Sequence, residues 1–463
     1  MEPSEVPARK GIIVSTQSLG EQTVDLLARL VRLGCVNDLT ADSGGEERAA
    51  DLLEEFFAGL PVSIERITPH PGRTSLVVTV EGSDPGSAGT PLTLLGHTDV
   101  VPVDEAKWTR DPFGAQIEDD VMWGRGTVDM LHLTAVMAVV TREVARRAQE
   151  GNPPARSLVF VAAADEEARG GLGVPWIGEH RPDALPWDAA LSEMGGAHIR
   201  GHRGGDSVVV VVGEKGAAQR RLHIRGDAGH GSVPLGRTSA VERLAQVSAA
   251  LSAARWLTAT DEVWASFVRA FEFDETTETS LINGTYEGDY SEFEDLAAFA
   301  HAISHVTVAQ TVAHSGGPIN VMPSHATLEL DIRTLPGVDD DDVDAAIMAA
   351  LGDLAEHVTI ERLLCEAATA SSIDTDLYRA IEAALTKRYP GARVVPVLFP
   401  GGSDLRVARR LGGIGYGFGA VDSGASLGHV YSQLHAHDEH IALVDVRATA
   451  EVLHEVVTAY LGA

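Results

Sequence analysis

Apolar residues recur at helical spacing over residues 22–33, where Val24, Leu26, Leu27, Leu30 and Val31 share a face. Residues 46–60 repeat the pattern with Ala49, Leu52, Leu53, Phe56 and Phe57. Extended runs follow at 75–80 and 92–95, then a helical stretch at 134–147 and strands at 157–162 and 207–212. Continuous apolar strands alternating with helices predict an α/β fold whose sheet is covered on both faces. Beyond Gly213 the texture changes. Strand patterns at 221–225, 305–313, 326–332 and 357–363 accompany helical ones at 239–253 and 339–354. The second of these helices opens on an acidic run suited to a helix N-terminus. The order is βαββαβ, which predicts a ferredoxin-like α+β layer. From about residue 368 a helix (375–388) and a strand (394–398) return. The simplest organisation is an α/β domain of residues 1–213 and 367–463, interrupted by a smaller domain at 214–366. Residues 256–300, acidic and weakly periodic, read as a long loop or a local insertion.

Composition supports two domains, because 463 residues exceed one ordinary core. There are 36 Lys+Arg against 67 Asp+Glu, a formal net charge of −31. Such a surface repels phosphate backbones and anionic membranes, so neither nucleic acid nor a membrane is expected as a partner. No stretch reaches the roughly 18–20 apolar residues of a membrane span. The early apolar run at 11–14 is too short for a signal-peptide core, which makes the cytoplasm the expected compartment. Cys35 and Cys365 have no partner at metal-ligand spacing and read as buried, inert thiols.

Five clusters carry the candidate chemistry. An apolar strand ends at Gly96 and is followed by His97-Thr98-Asp99. Positions i and i+2 of an extended chain face the same way, so Asp99 can hold one nitrogen of His97 while the other binds metal. Next, the Gly-rich turn Gly124-Arg125-Gly126 delivers Asp129 just before a helix. A carboxylate there can bridge two metals, or cap the helix. Asp165-Glu166-Glu167 then sit at the end of a buried strand, where α/β proteins place their sites. Crowded carboxylates repel unless a cation sits among them. The fourth cluster is Glu193 before Gly195-Gly196, and the fifth is His435-Ala436-His437-Asp438-Glu439-His440.

In this order, over nearly the whole chain, the clusters resemble the di-zinc amidohydrolases. That family includes aminoacylase, acetylornithine deacetylase, succinyl-diaminopimelate desuccinylase, carnosinase and glutamate carboxypeptidase. The resemblance implies a zinc-peptidase-like α/β/α catalytic domain with an inserted ferredoxin-like lid and dimerisation domain. It implies that His97 and Glu193 bind one metal, Glu167 and His435 the other, and that Asp129 bridges both. Asp99 would orient His97, and Glu166 would be the general base. Nitrogen and carboxylate ligands suit zinc, with manganese or cobalt as alternatives. Two such ions can share a water and lower its pKa towards roughly 7, and Glu166 can pass its proton to the leaving amine.

The inserted region carries matching marks. Gly229-His230-Gly231-Ser232 resembles the turn whose His reaches a partner subunit's site and stabilises an oxyanion. The resemblance therefore implies a homodimer. Asn320 and Arg333 fall in segments that contact substrate in relatives, and an Arg fork suits a carboxylate. Pro400-Gly401-Gly402-Ser403 resembles a further substrate loop, with Gly401 and Ser403 as its candidate contacts. One departure stands out: Leu131-His132 follow Asp129-Met130 where the family usually has Lys-Gly, which bears on substrate choice. His437 and His440 are extra to the pattern and read as surface residues. The expected activity is hydrolysis of an amide bond in an N-acyl amino acid or short peptide with a free carboxylate. Deacylase, dipeptidase and carboxypeptidase are all compatible with these residues, and a non-catalytic metal-binding relative is the alternative from another class. A di-metal phosphoesterase fits poorly, for lack of a phosphate-cradling Gly loop.

Overall fold

The computed structural model describes residues 17–40, 42–84 and 89–462. The apolar run at 11–14 lies outside them. A ten-stranded sheet forms the centre. Its middle strands, Leu92–His97, Leu158–Ala163 and Ala189–Ser192, are parallel and buried throughout. Their side chains alternate between two cores. Leu92, Leu94, Leu158, Phe160 and Ala162 join one, and Leu95, Val159, Val161 and Ala163 the other. That explains the unbroken apolar runs: period two is present, but both faces are dry. Helices Leu19–Leu33, Leu131–Gln149 and Leu443–Leu461 cover the first face. Val174–His180 and Leu405–Arg410 contribute to the second. The fold is α/β/α, as expected.

A second, antiparallel sheet uses Arg220–Arg225, Thr307–Ser315, His325–Thr334 and Val358–Arg362, with the short Gly216–Ala217. His325–Thr334 lies between Thr307–Ser315 and Arg220–Arg225, and Val358–Arg362 pairs on the far side of Arg220–Arg225. This is the ferredoxin-like order, and helices Ala240–Ala253 and Asp340–Leu351 pack against each other beside it. Each of these helices starts with a capping box, at Ser239 and at Asp339.

Residues 256–300 are not a loop. They form helices Glu262–Ala270 and Glu275–Ile282, a 3₁₀ segment at Ser291–Leu296 and the start of helix Ala297–Ser304. The acidic character that suggested a loop supplies caps: Asp261 accepts from Trp264 N, and Asp274 from Thr276 and Thr277 N. Trp264, Phe267, Phe271, Phe273, Phe293 and Phe299 form the buried core of these short helices. Helix Glu262–Ala270 packs on the large-sheet strand Arg393–Phe399. Both cysteines are free; Cys35 is buried as expected, but Cys365 is exposed because it follows the last strand of the small sheet in a loop. Among the described residues, no helix is long and apolar enough to cross a membrane.

Phe267 is fully buried and touches the rings of Trp264, Phe271, Phe293 and Phe299. Phe267→Ala is expected to destabilise the protein by about 3–5 kcal/mol in urea unfolding. A loss under about 1 kcal/mol would mean that this segment carries no core.

Candidate metal centre

The parallel strands deliver their chemistry at their carboxyl ends. His97 pairs with Ala163 in register, so the residues after each strand emerge side by side. Nδ1 of the buried His97 ring lies 2.9 Å from the Asp99 carbonyl oxygen. A carbonyl only accepts, so Nδ1 carries the proton and Nε2 faces outward. Nε2 meets Asp129 Oδ1 at 3.2 Å and Glu193 Oε2 at 3.9 Å. The ring is thus oriented by the backbone of Asp99, whose carboxylate stands 3.6 Å from Nδ1. That carboxylate holds the neighbouring loop instead. It accepts from Glu166 N (3.2 Å), Glu167 N (3.1 Å) and Asn37 Nδ2 (2.9 Å).

Asp129 is placed by a residue that the sequence reading quoted but gave no role. The buried Glu439 accepts from Val128 N (2.6 Å), Asp129 N (3.1 Å), Gly126 N (3.0 Å) and Arg125 Nη1 (2.8 Å). Gly126 is required here, since φ is +87° and a Cβ would lie 2.7 Å from both Leu131 and Val100 side chains. The two segments also pair as strands, His440 opposite Trp123. His440 is therefore half-buried, not a free surface residue. Its ring stacks on Trp123 with centroids 4.2 Å apart, whereas His437 is exposed.

A second trio shares Asp129. His435 Nε2 lies 3.3 Å from Asp129 Oδ2 and 3.2 Å from Glu167 Oε2. In each trio, His97–Asp129–Glu193 and Asp129–Glu167–His435, the candidate ligand atoms lie within 4.8 Å of one another. Glu167 Oε1 is buried without a hydrogen-bond partner. Imidazole nitrogens facing carboxylate oxygens need a cation or a proton between them, and nitrogen with oxygen donors suits zinc. The residues present therefore fit two divalent ions that share Asp129.

The electrostatics fit as well. Burial pushes Glu167 up to about 7, and burial with neighbouring carboxylates raises Glu193 well above the carboxylate range. Burial likewise raises Glu166, against the pull of His97. Hydrogen bonds to Asp129 and Glu167 raise His435 to about 10. Burial works to raise Asp129 too, but the His435 and His97 contacts outweigh it and hold that carboxyl low.

A cavity of about 430 Å³ opens over both trios, lined by Glu166, Glu193, Arg333, Gly401, Arg406 and His435 among others. Arg333 Nε is 3.0 Å from Asp331 Oδ1, which holds its fork half-buried at the rim. Ser403 does not line the cavity: its N–H and hydroxyl both donate to Glu214 Oε2 at 2.7 Å. Nor do His230 and Asn320. His230 sits on an exposed ribbon paired with Val321, Asn320 adjoins it, and Nδ1 of His230 is 2.8 Å from the Ser232 hydroxyl. Arg406 was missed. It is buried, lies 3.8 Å from Glu166 Oε1, and donates to Ser403 O and Arg169 O. Its place just after the Gly-Gly-Ser-Asp turn was the available signal.

Residues 93–459 match peptidase family M20/M25/M40, and the chain belongs to that family. It is 28% identical over 351 residues to "Probable carboxypeptidase S-like 2" of Dictyostelium discoideum, covering 72% of this chain and 64% of that protein. It is also 28% identical over 308 residues to acetylornithine deacetylase of Erwinia tasmaniensis, covering 66% of this chain and 65% of that one. The chain thus spans just under two thirds of the length of these relatives. Among solved structures, an M20 family metallo-carboxypeptidase from Sulfolobus solfataricus superimposes with a TM-score of 0.69 at 19% identity, covering 96% of this chain and all of the other. At that identity the likeness shows the fold.

Glu439→Gln removes the charge that gathers the Asp129 loop while keeping its size. Zinc affinity is expected to fall roughly 10–100-fold in competition titration with a chelator. Unchanged affinity would mean that the loop holds its shape without Glu439.

Proposed function

We propose that this chain hydrolyses an amide bond in an N-acyl amino acid or short peptide with a free carboxylate. The observation that carries this is one buried carboxylate, Asp129, shared by two trios beside a fourth acid, Glu166, that belongs to neither. The names of the relatives, a carboxypeptidase and a deacetylase, point to the same bond class. His97, Asp129 and Glu193 would hold one divalent ion, and Asp129, Glu167 and His435 the other; zinc fits best, with manganese or cobalt as alternatives. When bound, the ions supply Lewis-acid polarisation of the scissile carbonyl and lower the pKa of nearby water.

The chain's own residues do the rest. Glu166 takes the proton of the attacking water and gives it to the leaving amine. Its burial favours the protonated state that this second transfer needs. Arg406, 3.8 Å away, keeps that carboxylate turned into the cavity. Arg333 and the N–H groups of the Gly401 loop bind the substrate carboxylate, which fixes the amide over the trios. His230 and Asn320 are exposed and do not line this chain's cavity, which suits action across a dimer. In that arrangement the partner subunit's His230 donates to the oxyanion. Residues 214–366 would then form the lid and dimerisation domain, and 1–213 with 367–463 the catalytic one.

Two measurements test this. A panel of N-acetyl and N-succinyl amino acids beside dipeptides is assayed after chelation and again with zinc, manganese or cobalt restored. Cleavage of one class, abolished by chelation and restored by metal, is expected and separates deacylase from peptidase. Glu166→Gln should lower kcat by roughly 10²–10⁴ with metal content unchanged. Full activity of that variant would exclude the assigned base.

A further inference from the structure

Beside the metal cavity lies a second cavity of about 230 Å³, mostly apolar, with walls that include Val128, His132, Met194, Phe418, Val430 and Ile441. For scale, an apolar cavity of about 150 Å³ accepts benzene. The two cavities share a wall. Met194 lines both, and it directly follows the candidate ligand Glu193. Val128 directly precedes Asp129. Met194 is the lining residue the two cavities have in common, and its unbranched side chain readily changes rotamer.

The polar groups of this second cavity are mostly committed elsewhere. Ser423 donates to Asp445, Thr449 donates to Ala420 O, and Gln433 accepts from His440 N. His132 differs: its Nδ1 is buried with no hydrogen-bond partner. Its side chain forms part of this wall. Charge separates the two cavities further. Arg169, Arg333 and Arg406 line the metal cavity, while no Lys or Arg lines the second, which instead has the carboxylate of Asp445. With divalent cations offsetting the five acids there, a substrate carboxylate finds arginine partners in the first cavity and none in the second.

We propose that the second cavity is the acyl pocket. It takes an uncharged, mainly apolar acyl chain from the end of the substrate opposite the carboxylate. The chain passes Met194, and His132 offers one hydrogen bond to a neutral group on it. This rests on the amide-hydrolysis reading above and adds the substrate class to it.

The test is a series of one amino acid carrying acetyl, butanoyl, hexanoyl, phenylacetyl or succinyl groups, assayed with the metal-loaded protein. Along the straight chains, kcat/KM is expected to rise roughly fourfold per methylene. Phenylacetyl should rank with the long chains, and succinyl below butanoyl. Val430→Trp fills the cavity and should lower the hexanoyl-to-acetyl ratio at least tenfold. That ratio is internal to each preparation, so partial misfolding does not move it. A flat series in the unaltered protein, a preference for succinyl, or an unchanged ratio in Val430→Trp would overturn the acyl pocket and leave amide hydrolysis standing. Failure of every member, acetyl included, would overturn the hydrolysis reading and the pocket with it.

Discussion

Asp129, Glu166, Glu167 and Glu193 all line one cavity at the carboxyl ends of the central strands, and Asp99 is buried just behind them. Like charges so placed repel, and desolvation adds to the penalty, so each acid must find a cation, a proton or a set of N–H donors. Two histidines meet three of these acids, and Arg406 faces the fourth. The partners supplied by the chain do not complete the set, since Glu167 Oε1 is buried and unbonded. Divalent cations answer that deficit better than protons do, because a proton satisfies one oxygen where an ion takes several.

Holding such a cluster requires rigid loops, and two buried acids act as their anchors. Asp99 gathers the N–H groups of Glu166 and Glu167, and Glu439 gathers those of Gly126, Val128 and Asp129. The first contact links the ends of adjacent parallel strands. The second brings together segments about 310 residues apart in sequence, through a separate three-stranded sheet that pairs His440 with Trp123. Both anchors use the same physics: a carboxylate that accepts several backbone N–H bonds fixes the backbone that donates them. Glu439 is also paired with the buried Arg125, so removing either partner strands a charge.

Much of this was legible in sequence, for identifiable reasons. Unbroken apolar runs such as Leu158–Ala163 announce a strand buried on both faces, and the acids after it stood out because charge runs rarely follow such a strand. The βαββαβ order of the small sheet followed from clean alternation. Residues 256–300 were opaque because their helices are short and their apolar residues are aromatics converging from several directions, which leaves no steady period. The C-terminal helix Leu443–Leu461 went unread although its apolar content is high, since burial on several sides blurs the stripe. At the site, which atom makes a contact was not legible where the contact is made by backbone or by a distant acid. Asp99 orients His97 through its carbonyl, and Ser403 turns away to Glu214. Neither choice is visible in residue type or spacing.

On the proposed reading, one carboxylate, Asp129, bridges two ions held by separate trios. Anomalous diffraction at the zinc edge, from crystals grown with zinc, tests it most directly. The account predicts two peaks about 3.5–4 Å apart, one beside His97 and Glu193, the other beside Glu167 and His435, with Asp129 between them. A single peak, or ions bound away from Asp129, would contradict it.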